Sequence, residues 1–135
     1  MTCKDEYQEL FKKVMKEHLA VFEAQDVIEL EQFMDLIIQA DRIFCMGVGR
    51  EGISTRGFAM RLMHLGKEVH WIWDDTTPGM KKGDLFIATN GSGKIGHIQY
   101  VTEQAKKSGA TVAIVTGSAN QVNREFADFV LFVPA

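Results

Sequence analysis

Asp84 to His97 reads D-L-F-I-A-T-N-G-S-G-K-I-G-H. It opens with a short apolar run, Leu85 to Ala88, and then places Gly91, Gly93 and Gly96 within six residues. A helical apolar spacing follows at Ile98, Val101 and Ala105. That order predicts a strand, a tight glycine loop and a helix. The first turn of a helix offers unpaired N–H groups and a partial positive charge. Glycines let the backbone approach a bound anion closely. Asn90, Gly91, Ser92, Gly93 and Lys94 are therefore candidate anion ligands, with phosphate the first choice. A plain strand-to-helix turn would use the same glycines, so the loop needs support from the rest of the chain.

Upstream, Arg42 to Met46 is another continuous apolar strand, as expected when both faces of a parallel strand are covered. It enters G-V-G-R-E-G, Gly47 to Gly52, and then a helix carrying Phe58, Ala59, Leu62 and Met63. Val69 to Trp73 reads as the second strand and Asp74 to Pro78 as the loop after it. Downstream, the helix from Gly96 to Ser108 stops at Gly109, Thr111 to Val115 is the fourth strand, and T-G-S-A-N follows. A short helix around Val122 to Ala127 leads to the last strand, Phe129 to Val133. Alternating strands and helices predict a parallel sheet with right-handed crossovers and helices on both faces. Ligands of such sheets bind outside the carboxyl ends of the strands. The loops Gly47–Gly52, Thr76–Pro78, Asn90–Gly96 and Thr116–Asn120 all fall at that end. Their convergence supports a site more than any one of them does.

Two helices precede the sheet. Leu10, Phe11, Val14, Met15, Leu19 and Phe22 make an amphipathic stripe over Tyr7 to Ala24. Asp26 is a cap for a second helix with Val27, Leu30, Phe33, Met34, Ile37 and Ile38 as its inner stripe. They are expected to form a hairpin or an oligomer contact.

The 135 residues suit one domain, residues 1–135, with helices to about residue 40 and the sheet core from 41 onward. Hydrophobic residues are 46% and charged ones 24%, the balance of a globular protein. A net charge of −3 argues against a nucleic-acid surface. Cys3 and Cys45 are not at metal-ligand spacing, and Cys45 is expected as a buried free thiol, so a cytoplasmic location is expected. The polar start M-T-C-K-D-E-Y predicts no signal peptide, and no apolar run approaches the ~20 residues of a membrane span. No metal and no cofactor is expected.

Gly47, Gly49 and Gly52 also match G-x-G-x-x-G, and Asp74 and Asp75 follow at the distance of a ribose-binding acid. Nucleotide binding is thus an alternative reading. Against it stands the second glycine loop on the third strand, where a dinucleotide fold needs no phosphate site. A Walker A reading fails, because Ile95 rather than Ser or Thr follows Lys94.

From Arg42 onward the chain resembles the sugar isomerase (SIS) family, in particular its 6-phospho-3-hexuloisomerase branch. The stretches that carry the resemblance are R-I-F-C-M-G-V-G-R-E-G, F-A-M-R-L-M-H-L-G, T-T-P, K-K-G-D-L-F-I-A-T-N-G-S-G and G-A-T-V-A-I-V-T-G-S. The resemblance implies a flavodoxin-like three-layer sandwich with a five-stranded parallel sheet, a phosphosugar ligand, and a homodimer or homotetramer. It departs from the family at Glu51, where serine is usual, and at N-G-S-G-K-I, where S-G-S-G-E-T is usual. The family also continues past the last strand into a segment carrying a glutamate expected to act as base. The sequence here stops at Pro134-Ala135, so that segment is expected to be missing.

Moving a carbonyl between neighbouring carbons of a sugar phosphate takes a base, an enediol, and an acid or cation for the oxyanion. Glu51 and His97 are the candidate catalytic residues, with Arg50 or Lys94 as electrophile. Gly47, Gly49 and Thr116 complete the candidate substrate-binding set. His97 lies one position into its helix, where the dipole favours a neutral imidazole. Glu51 is first expected in a salt bridge with Arg50, Arg56 or Lys94. His18 is expected at the surface, His64 to pack at a helix end or subunit contact, His70 to be structural, and Trp71 and Trp73 to share one strand face in a core or interface. Two classes of function follow: an aldose–ketose isomerase of the 6-phospho-3-hexulose type, or a non-catalytic phosphosugar-binding or regulatory module.

Overall fold

The computed structural model describes residues 1–122 and 124–135. In chain order the elements are α1 (Cys3–Ala24), α2 (Val27–Gln39), β1 (Arg42–Met46), α3 (Gly49–His64), β2 (Val69–Trp71), β3 (Asp84–Thr89), α4 (Gly96–Lys107), β4 (Thr111–Thr116), a 3₁₀ turn at Ala119–Gln121, and β5 (Phe129–Phe132). The five strands form one parallel sheet in the order β2-β1-β3-β4-β5. Helices cover both faces and two helices precede the sheet, so the sandwich expected from the sequence is the fold.

β1, β3 and β4 read as unbroken apolar runs because neither face meets water. Ile43, Phe44, Cys45, Met46, Leu85, Phe86, Ile87, Ala88, Val112 and Ala113 are all buried. Alternate side chains go to opposite layers. Ile43, Cys45, Leu85, Ile87 and Ala113 pack with Phe33 of α2 and with Ala59 and Leu62 of α3. Phe44, Met46, Phe86, Ala88, Val112 and Ile114 pack with Ile98 and Ala105 of α4. Burial pushes the Cys45 thiol up to about 12, so it is an inert core residue.

The sheet is pinned at the amino end of its central pair. Arg42 and Asp84 stand opposite each other in the β1–β3 register. The Arg42 Nε and Nη2 donate to the two Asp84 carboxylate oxygens at 2.9 and 2.7 Å. Lys81 N–H donates to the same carboxylate at 2.8 Å, and Arg42 also reaches the Gly79 carbonyl at 3.0 Å. Burial by itself pushes the Asp84 carboxyl up. The Arg42 hydrogen bond, the Lys81 N–H and the charges of both residues outweigh it and hold the group below its ordinary value.

Several expectations need correction. β2 ends at Trp71 rather than Trp73, because the Trp71 carbonyl accepts from the Thr77 hydroxyl at 2.6 Å and from Asp74 N–H at 3.0 Å. Those bonds turn the chain, so Trp71 is buried while Trp73 is 49% exposed and off the strand. α1 begins at Cys3, not Tyr7, because Thr2 and Asp5 close a capping box. Its apolar stripe does not enter the core: Leu10, Phe11, Val14, Met15, Leu19 and Phe22 are all exposed. α2 is capped by Asp26 as expected, but of its stripe Phe33 is buried while Val27, Met34 and Ile38 face outward. The helix expected over Val122–Ala127 includes residue 123, which lies outside the described residues; residues 124–126 form a turn. Among the described residues no helix is long and apolar enough to cross a membrane.

Removing one partner of a buried ion pair strands the other charge, so Asp84→Ala is expected to cost about 3 kcal/mol in urea unfolding. The depressed carboxyl contributes stability that is present above the unfolded value of about 3.9 and is lost as pH falls through the lower folded value. Wild-type stability should therefore fall more steeply below about pH 4 than that of Asp84→Asn.

Candidate functional site

The site grows from the turn that links β1 to α3. Gly47 is packed so tightly that an added Cβ would lie 2.6 Å from Thr89 Oγ1 and 2.9 Å from Gly52 Cα. That contact draws the amino end of α3 against the end of β3. Thr55, buried one turn into α3, donates its hydroxyl proton to the Glu51 carbonyl at 2.7 Å. A hydroxyl has one proton, so in the 2.7 Å contact with Thr89 Oγ1 it is Thr89 that donates. α3 is thereby fixed over the glycine loop after β3.

The loop Asn90–Lys94 is folded largely by its own acceptors. Asn90 is buried, and its side-chain Oδ1 accepts Gly93 N–H at 3.1 Å. Gly93 adopts a φ of 75°, which suits glycine. Ser92 Oγ accepts Lys94 N–H at 3.2 Å. Glu51, from α3, accepts Gly91 N–H through Oε2 at 3.0 Å. Among the described residues, Ser92 N–H has no acceptor within the chain.

Beside the loop lies a cleft of about 650 Å³ lined by Arg50, Glu51, Thr55, Gly91, Thr116 and neighbouring residues. Its walls come from the carboxyl ends of β3 and β4 and the start of α3. Thr116 is buried; its hydroxyl accepts Ser118 N–H at 3.0 Å and reaches the Gly91 carbonyl at 3.4 Å. Asn90 and Gly93 instead line a second cavity of about 290 Å³ on the α4 side, with Gln99 and Tyr100.

No protein-family model matches the chain. A 3-hexulose-6-phosphate isomerase from Mycobacterium gastri is 37% identical over 132 residues, which is 98% of this chain and 61% of that protein. Another of the same name from Methanocaldococcus jannaschii is 42% identical over 76% of this chain and 57% of its own length. A crystal structure from Methanococcus jannaschii, described as inferring a 3-hexulose-6-phosphate isomerase function, superposes with a TM-score of 0.81 at 35% identity. That superposition covers 93% of this chain and 72% of the other. The chain belongs to the sugar isomerase (SIS) family. It spans about three-fifths of the length of the curated relatives it matches.

In this SIS domain the sequence-derived candidates divide into three groups. Arg50, Glu51, Gly91 and Thr116 meet at the larger cleft. Gly47 and Gly49 shape the turn behind it, and Asn90 and Gly93 hold the loop from the α4 side. Ser92, Lys94 and His97 are exposed and line neither cavity. His97 stands beside Trp73, ring centres 6.5 Å apart, and Trp73 Nε1 donates to the Gly47 carbonyl at 3.4 Å. No contact joins His97 to Glu51 among the described residues. The expected salt bridge of Glu51 is not formed either: Arg56 pairs with Asp74 at 3.4 Å, and the carboxylate takes the Gly91 N–H instead. The reason is register along α3. Glu51 in the first turn lies over the loop, whereas Arg56 reaches the chain after β2.

Sequence reading missed Ser54, Thr55, Thr89 and Gly117, which also line the cleft. A signal existed for one pair. Thr55 stands four residues after Glu51, and Thr89 closes the strand just before Asn90.

Gly47→Ala is expected to destabilise the protein by about 1–3 kcal/mol, the usual cost of overpacking, because the new methyl meets Thr89 and the α3 backbone. Urea unfolding checks this, and Thr89→Ala in the same chain should recover part of the loss.

Proposed function

We propose that residues 1–135 act as one phosphosugar-binding unit of the 6-phospho-3-hexulose isomerase type. The observation that carries the reading is a coincidence of place. The glycine loop and the Glu51 turn meet at the carboxyl ends of β1 and β3, in a chain 37–42% identical to two proteins named 3-hexulose-6-phosphate isomerase. In this reading the ligand's phosphate lies over Gly91–Gly93, taking backbone N–H groups, the Ser92 hydroxyl and the Lys94 charge. The sugar extends into the cleft toward Arg50, Thr55 and Thr116.

The reaction removes a proton from the carbon beside the carbonyl, passes through an enediol, and returns a proton to the former carbonyl carbon. Glu51 is the chain's candidate base and His97 its candidate acid. Arg50 or Lys94 steadies the oxyanion. General-base catalysis contributes typically ~10²–10⁴-fold. A second reading, a phosphosugar-binding module without turnover, is favoured by one observation: Glu51 is engaged by Gly91, and no contact joins it to His97 among the described residues. Nucleotide binding gains no such support: of its two expected ribose acids, Asp74 and Asp75, the first is paired with Arg56.

We also propose that the protein is a homodimer or homotetramer. Among the described residues α1 buries no side chain, and Leu10, Val14, Met15, Leu19 and Phe22 are 46–78% exposed along one helix. A second copy of the same stripe is the simplest cover for it. Sedimentation at micromolar concentration should give a dimer or tetramer, and a monomer would contradict this.

Assay of the purified chain with a 6-phospho-3-hexulose is expected to show turnover that Glu51→Gln lowers at least tenfold. Ser92→Ala should weaken ligand binding by about 1–2 kcal/mol, the usual loss for a hydrogen bond to a charged group. Binding without turnover selects the module reading. Turnover that survives both Glu51→Gln and His97→Ala would place the chemistry elsewhere.

A further inference from the structure

Three backbone N–H groups of the glycine loop are already spoken for. Two go to neighbours within the loop, Gly93 N–H to Asn90 and Lys94 N–H to Ser92. The third differs in kind. Gly91 N–H goes to a carboxylate that comes from 40 residues away, at 3.0 Å. The fit is close: a Cβ at Gly91 would lie 2.2 Å from Glu51 Oε1, so the carboxylate rests on the bare face of the glycine. No basic side chain lies within ion-pair distance of Glu51 among the described residues; its exposed carboxylate is held by the Gly91 N–H and lies at the positive end of α3. Glu51 is solvent-exposed and sits in the first turn of α3, so its side chain is free to swing out.

A carboxylate and a phosphate ask for the same thing: N–H donors and positive potential. They cannot share one N–H, and two anions in contact repel. We propose that the Glu51 carboxylate is a built-in competitor that the ligand's phosphate displaces from Gly91. This deepens the phosphosugar reading above and rests on it. On displacement Gly91 N–H joins the neighbouring Ser92 N–H as a donor pair, and the departing carboxylate enters the cleft as a free group. Phosphate affinity is therefore set below what the loop alone would give. The carboxylate is released for proton transfer only when a phosphorylated ligand is seated. An unphosphorylated sugar offers nothing to exchange with it.

Calorimetric titration of the full chain with hexulose 6-phosphate and with inorganic phosphate tests the exchange. Wild type, Glu51→Gln and Glu51→Ala are compared. Alanine removes both charge and acceptor, whereas glutamine keeps an acceptor for Gly91 N–H and loses the charge. Glu51→Ala is expected to bind both ligands at least tenfold more tightly than wild type, with Glu51→Gln between them. Neither change should tighten binding of the unphosphorylated hexulose. Equal or weaker phosphate binding in both variants overturns the proposal while leaving the phosphosugar site standing. If no variant binds the hexulose phosphate at all, the site reading fails and the competitor role with it. Thermal melts of all three proteins confirm that folded chains are being compared. The glutamine variant, near-isosteric with glutamate at an exposed position, keeps the comparison open if alanine disturbs α3.

Discussion

The ion pair between Arg42 and Asp84 fixes where everything else in the sheet can stand. It joins the first residues of β1 and β3 across the central pair, with the Asp84 carboxylate buried and the Arg42 guanidinium only partly exposed. Counting forward from it, the register runs in step to Met46 opposite Ala88. β1 ends there, β3 runs one residue further to Thr89, and Gly47 leaves the sheet packed against Thr89, just before Asn90. A slip of one residue would turn every side chain of one strand to the wrong layer. The polar clamp at one end thus sets the meeting of two loops at the other. The clamp also carries a cost in acid, since its carboxyl must stay ionised to hold the guanidinium.

Much of this was legible in the sequence because the central strands are buried on both faces. Continuous runs such as R-I-F-C-M and D-L-F-I-A-T, bounded by glycine loops, mark parallel strands, and the order of elements leaves few topologies. Edges were less legible. Val69 to Trp73 has the composition of a five-residue strand, yet a threonine hydroxyl six residues after Trp71 captures its carbonyl and ends the strand. Sequence periodicity cannot foresee such a side-chain bond. The apolar stripe of α1 was legible as amphipathic but not as uncovered, because periodicity shows that a face is apolar and not what covers it.

The candidate site was legible as a set of loops and not as a set of contacts. Glycine spacing located the loop between β3 and α4, and G-V-G-R-E-G located its neighbour between β1 and α3. Glu51 was expected to seek a cation, because opposite charges are the obvious partners of a carboxylate. A backbone N–H at a glycine, hidden in any one-letter reading, holds it instead. The same geometry shows the carboxylate lying in the space a side chain at Gly91 would take. His97 was placed near the loop by spacing alone, but α4 turns it toward Trp73 and away from any described contact with Glu51. In the reading proposed above, the site combines an anion cradle, a competing internal anion and a hydroxyl-lined cleft beside α3.

The amide N–H signals of the glycine loop report on that cradle directly. Titration of isotope-labelled protein with a hexulose 6-phosphate, followed by two-dimensional NMR, should move the Gly91 and Ser92 amides first and furthest. Lys94 and the residues of the Thr116 turn should follow. Shifts confined to the α4-side cavity around Gln99 and Tyr100, with Gly91 and Ser92 unmoved at saturation, would contradict a phosphosugar site at this loop.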